Sequence, residues 1–135
     1  MKTQKDGCPE LTPRELVILA EDYDALVAWY VDALGFRVTR AFTEGYRYTN
    51  LETASGIRIG IAPASEVGVK PGDRSAHTVI LQVGVADVKA LFDQVQTAGG
   101  TATFGPSFDE RGQFWFGGVS DLEGNPIWVV DENCP

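Results

Sequence analysis

The chain has 135 residues, enough for one compact domain with its own core. Apolar residues make up 44% and charged residues 22%, which places it among ordinary globular domains. The formal net charge of −8 argues against nucleic acid and anionic membranes as partners, because both attract basic surfaces.

No apolar run approaches the roughly 20 residues that cross a bilayer. The start, MKTQKDGCPELTPRE, lacks the apolar core of a secretory signal. The reading is a soluble cytoplasmic protein. Cys8 and Cys134 lie near opposite ends with no CxxC spacing, and read as spectator thiols.

Residues 1–12 are polar and read as a flexible tail. RELVILA (14–20) is a short apolar run suited to a strand. Asp22 follows as a helix N-cap, its carboxylate positioned to accept amide hydrogens of a first turn. Leu26, Trp29, Tyr30, Ala33 and Leu34 then recur at helical spacing, and Gly35 supplies a left-handed stop. FRVTRAF, GYRYTNLE and GIRIGIA read as strands separated at Gly45 and Gly56. Residues 64–76 are rich in Gly, Pro and small polar residues and form a linker. The pattern then restarts. HTVILQVGV is a strand, Asp87 the next N-cap, and Val88, Leu91, Phe92 and Val95 an amphipathic stripe that ends at Gly99–Gly100. TATFG, QFWFGGVS and NPIWVV are three more strands. GPSFDERGQ (105–113) reads as a polar loop over a cavity mouth.

The chain therefore reads strand–helix–strand–strand–strand, twice. Asp22 to Gly35 and Asp87 to Gly100 each span 13 positions, and the two helices coincide at an offset of 65. Two copies at this period indicate a duplicated module rather than a solenoid. The fold class is α+β, with a mostly antiparallel, curved sheet carrying helices on one face. The single domain covers 13–131, with module one at 14–63 and module two at 77–131.

Strand residues alternate between faces. Leu16, Ile18 and Ala20, then Ile57, Ile59 and Ile61, then Val79, Leu81, Val83 and Val85, and finally Ile127 and Val129 make plain apolar faces. The opposite faces are mixed: Glu15, Val17 and Leu19; Arg58, Gly60 and Ala62; Thr78, Ile80, Gln82 and Gly84; Pro126, Trp128 and Val130. If the sheet curls, these line a concave pocket, mostly apolar with a few placed polar groups.

DYDALVAWYVDALGF (22–36) resembles a helix signature of the vicinal oxygen chelate superfamily, which includes glyoxalase I, extradiol dioxygenases and bleomycin resistance proteins. VADVKALFDQVQTAGG (85–100) resembles the second-module helix. DLEGNPIWVV (121–130) resembles the closing turn and strand, with Leu122 where a proline is usual. The resemblance implies two βαβββ modules forming a curved, partly closed mixed sheet around a cavity. It also implies a homodimer and, in many members, a divalent metal held by one His or Glu from each of four strands. Counted from the helices and the closing turn, those positions fall on Glu15, near Gly60, on Ile80 and on Trp128. Only Glu15 among them can ligate a metal. The lone histidine, His77, lies three residues before Ile80, and pairing it with Glu15 would need a bulge.

The resemblance is thus to the metal-free branch: no metal, no cofactor, and an aromatic or hydrophobic small molecule as ligand. The candidate ligand-binding residues are Glu15, Tyr46, Tyr48, Arg58, Gln82, Trp115 and Trp128. Tyr46 and Tyr48 sit two apart on one strand. Phe114, Trp115 and Phe116 crowd another, where alternate residues face the cavity, and Trp115 stands for them. Glu15 and Arg58 form either a base beside an anion-binding guanidinium or a rim salt bridge. The alternative function is a lyase, isomerase or dioxygenase of the same fold, using a degenerate metal site at Glu15 and His77 or Glu15 as a general base.

Overall fold

The computed structural model describes residues 7–135. Part of the expected tail lies outside those residues; residues 7–12 carry neither helix nor strand and are exposed. Module one runs β1 (Leu16–Ala20), α1 (Tyr23–Leu34), β2 (Arg37–Phe42), β3 (Tyr48–Glu52) and β4 (Arg58–Pro63). Module two runs β5 (Leu81–Val85), α2 (Val88–Thr97), β6 (Thr101–Asp109), β7 (Phe114–Ser120) and β8 (Pro126–Asp131). The linker between them contains two short 3-10 turns, Ala64–Val67 and Arg74–Ala76.

Both helices start and stop as their end residues dictate. Asp22 accepts the Ala25 amide at 3.2 Å, and Asp87 accepts the Ala90 amide at 3.0 Å. Gly35 takes φ of 74°, a left-handed conformation that ends α1 at little cost for glycine.

The strands form two four-stranded sheets in the same order, β1-β4-β3-β2 and β5-β8-β7-β6. In each, the first strand pairs in parallel with the last, and the other pairs are antiparallel. Each module contributes its own sheet, as expected for two paired βαβββ modules, and the two sheets are not joined by strand pairing. Two boundaries differ. β5 starts at Leu81, not His77, and Val79 is 79% exposed instead of packing under a helix. Its partner ladder begins at Leu81↔Ile127, and the residue before Ile127 is Pro126, which has no N–H to extend it. β6 runs to Asp109 and absorbs most of the stretch expected as a loop over a cavity. Only residues 110–113 remain as its turn.

The apolar strand faces and both helices share one core. It includes Ile18, Leu26, Trp29, Tyr30, Leu51, Ile59 and Ile61 from module one and Val88, Phe92, Val95, Val119, Ile127 and Val129 from module two. Each such side chain contributes roughly 1.5–3 kcal/mol when fully buried. Polar links cross the same boundary. Trp29 Nε1 donates to the Ala98 carbonyl at 3.0 Å, and Tyr30 Oη donates to Asp121 Oδ2 at 2.8 Å. Burial and the Asp121 carboxylate push the Tyr30 phenol well above its ordinary value. Arg74, in the linker, lies between Glu21 at 2.7 Å and Glu123 at 2.9 Å. Glu123 also accepts the amides of Glu21 and Asp22 at 2.9 and 2.8 Å. This clamp fastens the start of α1 to the closing turn of module two. With the core on the helix side, the second face of each sheet is left open.

Candidate functional site

Residues paired in register share a face, so each open face can be read as rows of side chains. Across sheet one, Val17, Gly60, Asn50 and Arg40 stand opposite one another in turn. Across sheet two, the equivalent row is Gln82, Trp128, Gly118 and Phe104. Val17 and Gln82 are 65 positions apart, the same offset that superposes the helices. Gly60 and Trp128 are therefore equivalent positions, as the counting from sequence expected. Glu15 and Ile80, each two residues earlier, are equivalent as well.

Glu15 is the centre of a polar cluster on sheet one. Tyr48 Oη donates to Glu15 Oε2, and Asn50 Nδ2 reaches Oε1 at 2.9 Å and Oε2 at 2.8 Å. Burial, then the hydrogen bond to Glu15, push the Tyr48 phenol up to about 12. Gly60 makes this arrangement possible. A Cβ there would overlap Tyr48 Oη and lie 2.5 Å from both Tyr48 Cζ and Glu15 Oε2. The tyrosine tip thus fills the space that a side chain at 60 would occupy.

Arg58 does not join Glu15. It bonds Glu52 at 2.8 Å, and Arg37 meets the same carboxylate at 3.4 Å. The proposed Glu15–Arg58 partnership is corrected: cross-strand register puts Glu52 directly opposite Arg58, while Asn50 and Tyr48 reach Glu15 first. Tyr46 is also corrected. It precedes β3 in an irregular turn, is 74% exposed, and lines none of the sheet-one clefts.

On sheet two the open face is aromatic. Trp128 is 44% exposed and meets Phe104 edge-on at 6.0 Å between ring centres. Phe116 lies 6.5 Å from Phe104. Gly118 leaves the hollow in which the Phe104 ring rests, since a Cβ there would collide with it. A shallow cleft of about 360 Å³ is lined by Gln82, Phe104, Phe114, Phe116 and Trp128. Trp115 points the other way. It packs against the core with Lys89 Nζ 4.1 Å from its ring centre. Phe114 and Phe116 are the cavity-side alternates, and the expectation for Trp115 is replaced by them. Sequence reasoning had the alternation but no anchor for its phase; the pairing Phe116↔Val130 fixes it. Phe104 and Asn50 were missed. Phe104 was hidden by a strand that looked too short, and Asn50 by the absence of any chemistry visible without its neighbours.

His77 is exposed just before β5 and lines clefts with Arg74 and with Trp128, none of them shared with Glu15. Among the described residues no three His, Cys, Asp or Glu side chains gather to hold a metal ion. The four positions that would supply ligands are Glu15, Gly60, Ile80 and Trp128, and Glu15 has both oxygens engaged. This donor set does not fit a chelated divalent ion.

No curated protein is matched by the sequence. Among solved structures, a glyoxalase family protein from Bacillus cereus superposes with a TM-score of 0.77 at 13% identity, over 95% of this chain and 98% of that one. A superfamily member from Sphaerobacter thermophilus gives 0.73 at 19%, over 91% and 98%. A glyoxalase/bleomycin resistance protein/dioxygenase family enzyme from Burkholderia phytofirmans gives 0.69 at 18%, over 87% and 95%. At such identities the likeness is one of fold. The family's sequence profile matches residues 13–129, nearly the whole folded chain, and so this protein belongs to the glyoxalase/bleomycin resistance protein/dioxygenase superfamily.

Proposed function

We propose that this protein is a metal-independent small-molecule-binding member of its superfamily that holds an aromatic or hydrophobic compound on the open face of sheet two. The observation that carries the reading is Trp128. It stands at a position equivalent to Gly60, half exposed, with Phe104 edge-on and Phe116 nearby. Aromatic rings offer large contact area at low entropy cost and stack on planar ligands. Gln82, opposite Trp128 on the neighbouring strand, is placed to orient such a ligand by hydrogen bonding.

A cytoplasmic location and a homodimer belong to the same proposal. Two open, partly apolar sheet faces on one small chain favour a second copy, since a face of this kind is costly to leave in water. Glu15 is a poor general base here, because Tyr48 and Asn50 already donate to both of its oxygens. This weighs against the acid–base enzyme reading.

The test is metal analysis of purified protein after loading with zinc, nickel, manganese or iron(II), followed by tryptophan quenching with planar aromatic compounds. The reading requires less than one ion per chain and a saturable quench that Trp128→Ala abolishes. One tightly bound ion per chain, lost in Glu15→Ala, would overturn it.

A further inference from the structure

The chain carries a net charge of −8, yet residues 37–58 hold four arginines against two glutamates. Two of these arginines are paired on the open side of sheet one: Arg37 and Arg58 share the single carboxylate of Glu52, which leaves one positive charge between them. Arg47 pairs with Glu66 at 2.7 Å. Arg40 is different. It is exposed, it sits in the row with Asn50 and Gly60, and among the described residues it forms no ion pair. Its guanidinium lies 4.5 Å from the centre of the Phe42 ring, a contact that restricts the side chain without neutralising it. Arg14, next to Glu15 in the chain, lines the same clefts as Arg40 and is likewise outside any ion pair among the described residues. Arg14 is near enough to Tyr48 for its charge to oppose the rise in the phenol's pKa.

Two clefts on this face, of about 380 and 360 Å³, are each lined by Arg14, Glu15, Arg40 and Asn50. Glu15 is already served by Tyr48 and Asn50, and Glu52, which lines the larger cleft with Arg58, is held by Arg58 and Arg37. What the face still offers is guanidinium N–H groups, five per arginine, in planar forks that match carboxylate and phosphate oxygens.

From this we infer that the open face of sheet one is an anion-binding subsite, in which Arg14 and Arg40 hold a carboxylate or phosphate group of a small molecule. Glu15 is the element that shapes it: Tyr48 and Asn50 bind the carboxylate and keep it from pairing with either arginine. The inference concerns sheet one alone and stands or falls independently of the aromatic face on sheet two.

The experiment follows the arginine Nε–H signals of ¹⁵N-labelled protein while inorganic phosphate, and separately acetate, is titrated against sodium chloride at matched ionic strength. Arg14→Gln and Arg40→Gln assign the two signals. The expected result is a saturable shift of both signals at millimolar anion, absent with chloride, and an apparent Kd, followed in every variant on the Asn50 side-chain amide that lines both clefts, at least tenfold weaker in the double variant. A response to acetate as well as phosphate assigns the subsite to carboxylates generally, and a response to phosphate alone assigns it to phosphate. Arginine shifts that match chloride, or an Asn50 side-chain shift that persists unchanged in the double variant, overturn the inference. Neither probe has an aromatic surface, so failure here leaves the tryptophan quenching result standing, and the reverse also holds. Both substitutions are at exposed positions, so folding is not at stake.

Discussion

Replacing Gly60 with alanine tests the central packing argument with one methyl group. The new Cβ would lie 2.5 Å from Tyr48 Cζ, where ordinary contact begins near 3.4 Å, so that ring carbon must retreat by about 0.9 Å. The hydroxyl, which overlaps the Cβ outright, must move further, and its hydrogen bond to Glu15 is lost. Hydrogen bonds to charged groups are worth about 1.5–3 kcal/mol when buried, and nearer 1 kcal/mol at a half-exposed site such as this. Alanine also restricts the unfolded chain, which returns roughly 0.4–1 kcal/mol because Gly60 has no left-handed φ to defend. Displacing the Tyr48 ring adds a packing cost of roughly 1–3 kcal/mol, so global stability mixes opposing effects and is a poor readout, and titration is a good one. Tyr48 ionises near 12 in the folded protein because burial and Glu15 both disfavour the phenolate. Its folded value lies above the unfolded one of 10.0, so the stability it adds is present below pH 10 and is lost as pH rises toward 12. In Gly60→Ala the phenol should titrate closer to 10. Absorbance near 295 nm, with the Tyr48→Phe curve subtracted, isolates this transition. If Gly60→Ala leaves the late transition in place, Tyr48 does not owe its position to the missing side chain, and the reading of position 60 is wrong.

Other outcomes follow from the same contacts. Arg74→Met removes the cation between Glu21 and a largely buried Glu123. It should cost about 3 kcal/mol, the low end for breaking a buried pair because Glu21 is open to solvent; a loss below about 1 kcal/mol in urea denaturation would contradict this. Tyr30→Phe leaves Asp121, 2% exposed, with its backbone and Asn125 donors but without the phenol, for a loss of about 1.5–3 kcal/mol. The same variant should remove one late tyrosine from the alkaline titration, and an unchanged curve would refute the burial argument. Light scattering at micromolar concentration should give the mass of two chains, and a mass near 14.6 kDa would refute the homodimer.

Much of the fold was legible because local chemistry and global packing agree. Asp22, Gly35 and Asp87 announce the helix ends in any context. The 65-residue offset needed only the two caps, and it fixed the equivalence of Glu15 with Ile80 before any sheet was seen; Trp128 was placed by counting from the closing turn at Asp121. What stayed illegible depends on distant partners. Nothing local shows that Pro126 would stop β5 short, or that Phe104 belongs to a nine-residue strand. Arg58 looked available to Glu15 because sequence places both on one face, but only register reveals Glu52 beside it. The phase of Phe114–Trp115–Phe116 likewise awaited the pairing with β8.

The two rows, Val17–Gly60–Asn50–Arg40 and Gln82–Trp128–Gly118–Phe104, have a consequence for how the duplicated halves diverged. Where one half has glycine, the other has a large or polar side chain, and the exchange happens at both inner positions: Gly60 against Trp128, and Asn50 against Gly118. Bulk has moved one strand sideways between otherwise repeated scaffolds. The backbone is held nearly constant by the caps and the core, so such exchanges can change the chemistry of a face without endangering the fold. The same scaffold thus carries a polar surface in one copy and an aromatic one in the other.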